Sequence, residues 1–354
     1  MPERTVAVVL GGGGARGLAH IGVLEALEEE GIRADALSGT SIGGLVAALL
    51  ALGLPAAQIG ELARGFRLPR RFLPGRLLDW NEIFRPAVDL LDRRTFSDLE
   101  RPLAVSAVDL LAAEEVVLQS GPLLPAVRAT CAMPGVLAPE PLGDRQLVDG
   151  GVVNILPVDL AWLWNPDAII AVNIVAAPRR AARADSAYER LANALGRFAP
   201  NPLTAHVACG VALRAVDVAL ERQRSLAVAM TSPDVLIDVD VGDVSISDFH
   251  RLDDVIRCGR RAARAAIPQV REALAAVADA AHHAVTANPA HVDPVCHMVI
   301  SPGRARAVLE RDGIAYYFCS TNCRDLFARH GARAVAGGLR TEIPESGGGV
   351  RSGN

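Results

Sequence analysis

The chain contains no lysine; all 36 of its basic side chains are arginine. Without a side-chain amine, a Walker-type phosphate loop and Schiff-base catalysis are both excluded. No apolar run reaches the roughly eighteen residues that a membrane-spanning helix needs. The longest, Ile42 to Leu54, has the length of a short buried helix. The start, Met1-Pro2-Glu3-Arg4, leads straight into a strand and lacks the charged-then-apolar order of a signal peptide. Cysteine is sparse. Cys131, Cys209 and Cys258 stand singly among apolar or helical neighbours, as core fillers in a reducing compartment do. A cytoplasmic location is therefore expected. The net charge of −4 gives no electrostatic case for a nucleic-acid partner.

What is present is apolar and layered. The 354 residues are 51% hydrophobic, enough for a sizeable core and a second, smaller unit. Strand-like runs at Val6–Leu10, Leu103–Val108, Glu115–Gln119, Gln146–Val148, Ala168–Val175 and Val235–Val241 alternate with helical runs. Among the latter are Leu18–Glu30, Asp185–Leu195 and Thr204–Leu226. Ala168–Val172 reads as a strand buried on both faces, as parallel sheets require. The pattern is α/β. Leu252 to Ala280 is amphipathic, with Pro268 expected to break or restart the helix. A main domain over 1–285, a linker over 286–291, a small module over 292–336 and a disordered Gly/Ser-rich tail over 337–354 are expected.

Two glycine-rich turns carry chemistry. Gly11-Gly12-Gly13-Gly14-Ala15-Arg16-Gly17 follows the first strand, and Gly39-Thr40-Ser41-Ile42-Gly43 follows a second, shorter apolar run, Ala36 to Ser38. The first satisfies the dinucleotide fingerprint, but the acidic residue that would hold ribose is missing. Asp35 precedes the second strand, and Gly39 and Ser41 follow it. The second is a G-x-S-x-G turn between strand and helix, the setting that exposes a nucleophilic serine. Ser41 could equally cap that helix; the upstream glycine loop, able to hold an oxyanion on bare amides, favours the nucleophile. His206 and His250 follow Ser41 without a matching strand-end acid. Asp149 ends a strand before Gly150 and Gly151, and an ordinary turn is the competing reading there.

Taken in order, the glycine loop, Gly39-Thr40-Ser41-Ile42-Gly43-Gly44 and Asp149-Gly150-Gly151 resemble the patatin-like phospholipases. Leu18 to Leu24, Arg128 to Gly135 and Val152 to Pro157 resemble them too, and the likeness extends from Thr5 to Val175 and more weakly to Ala280. The resemblance implies a three-layer fold on a mostly parallel sheet, and lipid or acyl-ester substrates. It implies a Ser41–Asp149 dyad without histidine and without a cofactor. It also implies an oxyanion hole from the amides of Gly12, Gly13 and Gly14, a loop braced by Arg16, and supporting roles for Gly39, Gly43, Gly150 and Gly151. His20 reads as a packed helix residue. Leu137 stands where many relatives carry an aromatic residue, which bears on the acyl pocket. Aspartate ordinarily titrates near 3.9, too low for a base at neutral pH, so burial must raise Asp149.

Phe66 to Trp80 interleaves apolar side chains with Arg67, Arg70, Arg71 and Arg76. That mixture suits peripheral contact with an anionic lipid surface; aromatics tucked into the core are the plainer reading. The arginines from 257 to 271 read as a solvated helix face. In the small module, Cys319 and Cys323 are spaced i, i+4, with Cys296 upstream. Three soft ligands suit zinc or copper. This stretch, including Tyr316-Tyr317-Phe318, resembles the YHS domain, an α+β module, with His297 where glycine is usual. The alternative is a module folded around Tyr316, Tyr317 and Phe318 with reduced thiols. The lead function is a serine lipid acyl hydrolase. A catalytically quiet metal-binding scaffold and a general soluble carboxylesterase are the competitors.

Overall fold

In the computed structural model the apolar run Val6–Leu10 forms β1, buried at every residue. Ala36–Thr40 (β2) and Leu103–Asp109 (β3) are also buried throughout, and Ala168–Val175 (β7) at all but its last residue. A strand covered on both faces has no exposed side, hence the largely apolar sequences of β1 and β7; the buried Ser38, Thr40 and Ser106 of β2 and β3 each donate a side-chain hydrogen bond. Val235–Asp240 (β8) alternates buried and more exposed positions. β3, β2, β1, β7 and β8 pair in that order, all parallel. Glu114–Leu118 (β4) and Arg145–Asp149 (β6) pair antiparallel with β3, and Glu140–Leu142 (β5) closes the sheet on β6. The chain is thus α/β on a mostly parallel sheet. The structure describes residues 5–68, 77–175, 222–224, 228, 231, 233–280, 291–292, 299–300, 305, 307–311, 314–318, 324 and 327–328.

The register around β3 positions the site. Residues 107–109 of β3 pair with β4 on one side and β6 on the other. Residues 105–106 pair with the same β4 and with β2. β2 and β6 therefore share one edge of β3, end to end. Thr40 lies beside Ser106 and Asp149 beside Ala107, so the chain leaves β2 at Ser41 where β6 arrives.

Helices Ala19–Glu29 (α1), Ile42–Ala51 (α2), Ala56–Ala63 (α3), Trp80–Ile83 (α4), Arg85–Leu91 (α5) and Leu123–Cys131 (α6) pack with the sheet, as does a long helix, Leu252–Ala280. The long helix crosses α1 at backbone contact. A Cβ on Gly22 would lie 1.9 Å from the Ile256 carbonyl oxygen, and one on Gly259 1.9 Å from that of Ala19. Pro268 does not break it, contrary to the sequence expectation. Val255, Ala263, Ile267 and Val270, on both sides of the proline, are buried in the core. At ~1.5–3 kcal/mol per large buried aliphatic side chain, that packing outweighs the ~3 kcal/mol that an internal proline costs. Arg260, Arg264 and Arg271 are not a merely solvated face either: they pair with Glu25 and Glu29 of α1 and with Glu30 just after it. No helix among the described residues is long and apolar enough to cross a membrane.

The ends of the Phe66–Trp80 segment join the core. Phe66 and Trp80 are buried and stack on Phe84, with ring centroids 5.1 and 4.9 Å apart. Residues 69–76, with Arg70, Arg71 and Arg76, lie outside the described residues, as do the runs expected at 185–195 and 204–221 and the tail. The chain divides into two compact units, Met1–Ala290 and His291–Asn354. In the second, His291–Val292 (β9) pairs with Val299–Ile300 (β10) and Ala307–Arg311 (β11) with Ile314–Phe318 (β12), all antiparallel. Phe318 and Phe327 are buried in its own small core, where Tyr316 stacks on Phe327 at 4.8 Å. Cys296, His297, Cys319 and Cys323 lie outside the described residues.

Candidate active site

Ser41 sits at the end of β2 with φ 57 and ψ −131, a left-handed conformation that costs a non-glycine residue energy. The turn is held because its neighbours have no side chains. A Cβ on Gly43 would lie 2.2 Å from the Leu10 carbonyl oxygen, and one on Gly39 2.8 Å from the Gly43 backbone. The Ser41 amide donates to Thr130 Oγ1 at 2.9 Å. Its hydroxyl donates to Asp149 Oδ2 at 2.6 Å. The other carboxylate oxygen of Asp149 accepts from the Gly151 amide at 2.8 Å, and the Asp149 amide donates to the Ala132 carbonyl at 3.0 Å. Gly150 lies so close to β3 that a Cβ would meet the Ser106 carbonyl oxygen at 2.3 Å.

Both side chains of this hydrogen-bonded pair are buried, Ser41 at 6% and Asp149 at 5% exposure. Burial drives the Asp149 pKa up to about 6, against the opposing hydrogen bonds from Ser41 and Gly151. A carboxylate held out of water is a stronger proton acceptor at neutral pH than one in solvent. His250 is exposed, and His206 lies outside the described residues. Among the described residues no histidine hydrogen-bonds to either member of the pair.

The glycine loop lies against Ser41: a Cβ on Gly12 would come within 3.3 Å of the Ser41 Cβ. One expectation is corrected here. The Gly12 amide donates to the Ile155 carbonyl at 2.8 Å, so it is already spent. The Gly11 amide goes to Val172 and that of Ala15 to Ile246. Among the described residues, the amides of Gly13 and Gly14 donate to nothing. Gly14 has φ 57, and a Cβ there would meet the Ile246 carbonyl oxygen at 2.6 Å.

Three buried side chains brace the loop. Arg16 Nε donates to the Gly13 carbonyl at 3.3 Å. His20 Nε2 lies 2.7 Å from the Gly11 carbonyl oxygen; a carbonyl only accepts, so this nitrogen carries the hydrogen. Burial lowers the His20 pKa to about 4, leaving it neutral. Arg224 reaches the Gly12 carbonyl at 3.5 Å. Sequence reasoning missed Arg224, because one arginine in a helical run carries no signal of its own. Beyond Asp149, Val152 and Val153 expose apolar surface, whereas Leu137 is buried. Among the described residues no cluster of three or more His, Cys, Asp and Glu side chains could hold a metal ion.

Residues 8–162 match the family model of the patatin-like phospholipases, and residues 291–333 that of the YHS domain. An uncharacterized NTE family protein of Mycobacterium tuberculosis is 30% identical over 278 residues, which are 75% of this chain and 46% of that protein. A second, from Mycobacterium bovis, is 36% identical over 48% of this chain and 49% of its own length. Patatin-like phospholipase domain-containing protein 6 of the mouse is 34% identical over 48% of this chain and 13% of its own. The chain spans half or less of these curated relatives. Among solved structures, VipD from Legionella pneumophila aligns with 75% of this chain and 67% of its own at 14% identity, with a TM-score of 0.42.

Proposed function

We propose, for a chain whose residues 8–162 are a patatin-like phospholipase domain and whose residues 291–333 are a YHS domain, that it is a lipid acyl hydrolase working through Ser41 and Asp149. The observation that carries this reading is the 2.6 Å hydrogen bond from a serine on a strained strand-to-helix turn to a buried aspartate.

In this reaction the Ser41 hydroxyl oxygen attacks the ester carbonyl carbon while its proton passes to Asp149. The carbonyl electrons move onto oxygen, and the amides of Gly13 and Gly14 receive that oxyanion. Collapse expels the alcohol, which takes the proton back from Asp149 and leaves an acyl-serine. Water, deprotonated by the same carboxylate, then releases the fatty acid and restores the hydroxyl. The exposed apolar pair Val152–Val153 beside Asp149 supports an acyl-chain substrate and contact with a lipid surface. In the YHS domain, Cys296, Cys319 and Cys323 are proposed to hold zinc or copper; elemental analysis of purified protein finding neither metal would contradict that.

The test of function is hydrolysis of short- and long-chain acyl esters by wild type and Ser41→Ala. Long-chain esters should be preferred, with activity lost in the variant. Equal rates on both chain lengths would point to a general esterase, and activity surviving in Ser41→Ala would remove the serine from the mechanism.

A further inference from the structure

A second group of carboxyl side chains lies beside the dyad, and the reaction above does not use it. Ser106 donates from Oγ to Glu115 Oε1 at 2.6 Å. The Asn154 side-chain amide spans two carboxyls, reaching Glu115 Oε1 at 3.0 Å and Asp159 Oδ1 at 2.9 Å. The main chain of Asn154 touches the residues flanking both members of the dyad. Its carbonyl accepts from Thr40 Oγ1 at 2.7 Å, one residue before Ser41. Its amide donates to the Gly150 carbonyl at 2.8 Å, one residue after Asp149. We propose that Asn154, clamped between Glu115 and Asp159, is the positioning residue that fixes the spacing of Ser41 and Asp149. The proposal rests on the acyl-hydrolase reading.

A side-chain amide has two hydrogens, and Asn154 gives one to each carboxyl. Loss of that grip frees the main chain that joins the two halves of the dyad, and a misplacement of about 1 Å at a reacting centre costs on the order of 100-fold in rate. The cluster also has a charge state. Glu115 comes from β4, Ser106 from β3 and Thr40 from β2, while Asp159 lies just beyond Asn154. Asp159 is the charged group that acts on Glu115, and Ser106 and Asn154 are neutral. Burial, and next the negative charge of Asp159, push the Glu115 pKa up to about 7, against the hydrogen bonds from Ser106 and Asn154. Burial raises Asp159 as well. The pair thus keeps a proton up to neutral pH. Above that, two carboxylates face each other across one amide and repel. The clamp should then loosen on the alkaline side, while ionisation of Asp149 raises the rate on the acid side.

The experiment is the pH dependence of kcat and KM on a p-nitrophenyl acyl ester, with the full chain, for wild type, Asn154→Ala and Glu115→Gln. Asn154→Ala should lose about 100-fold in kcat with little change in KM. Wild type should give a bell with limbs near 6 and 7. Glu115→Gln, which keeps the shape but cannot ionise, should abolish the alkaline limb near 7. Ser41-dependent hydrolysis with wild-type kcat in Asn154→Ala, or with the alkaline limb of Glu115→Gln unmoved, overturns this proposal alone. Absence of Ser41-dependent hydrolysis in wild type overturns the acyl-hydrolase reading and this proposal with it. Should Asn154→Ala fail to fold, the limb of Glu115→Gln still decides.

Discussion

The serine turn and the glycine loop face one another across the same site, yet they are held by different means. The turn is set by the sheet. β2 and β6 abut along β3, and the register that pairs Thr40 with Ser106 and Asp149 with Ala107 brings two side chains together across 108 positions of sequence. A slip of one residue in either pairing would turn that strand's side chains to the opposite face and part the two. The loop follows β1 but is shaped by tethers: Val172, Ile155 and Ile246 take its amides, and its own Arg16 together with His20 and Arg224 take its carbonyls. The Ser41–Asp149 contact is therefore set by the sheet, and the shape of the glycine loop by a few individual contacts.

That contrast can be broken experimentally. The largest effect belongs to Gly13→Pro, which deletes one of the two uncommitted amides. It should lower kcat by about 100- to 1,000-fold, equivalent to roughly 3–4 kcal/mol; Gly13 holds φ 167, which a proline ring cannot adopt, so Tm should fall as well. Wild-type kcat in this variant would mean that the Gly13 amide holds no oxyanion. Next comes the stability cost of the base. The Asp149 pKa is about 6 in the folded chain against an ordinary 3.8. Between those values the native state holds a proton that the unfolded state has lost, so stability falls as pH rises through this window. The full cost stands above about 6. Asp149→Asn should accordingly be inactive yet more stable than wild type at pH 8, by up to about 3 kcal/mol. The gain should shrink toward pH 4, and urea unfolding at both pH values checks it. The smallest effect is that of Gly43→Ala. Its Cβ would meet the Leu10 carbonyl at 2.2 Å, so helix and strand must separate, at about 1–3 kcal/mol of stability. Here too Tm and activity should fall together.

The turn was legible in the sequence because glycine, serine and aspartate each answer a local demand: a close backbone approach, a nucleophile, a strand end. The buried parallel strands were legible as apolar runs. What escaped the sequence depends on partners far along the chain. Nothing around Gly12 announces that its amide is taken by Ile155. Pro268 reads as a break until the packing on either side of it is known. Arg260, Arg264 and Arg271 read as solvated because their glutamates lie more than two hundred residues upstream. Glu115, in a strand that otherwise looks half-exposed, gains its meaning only beside Asn154 and Asp159.

The rate at which a fluorophosphonate modifies the chain, followed against pH with the labelled peptide identified, tests the dyad most directly. Labelling should fall on Ser41 and rise with an apparent pKa of about 6, and it should be strongly slowed in Asp149→Asn. A label on another residue, or an Asp149→Asn variant that reacts as fast as wild type, would contradict the claim that this carboxylate activates this hydroxyl.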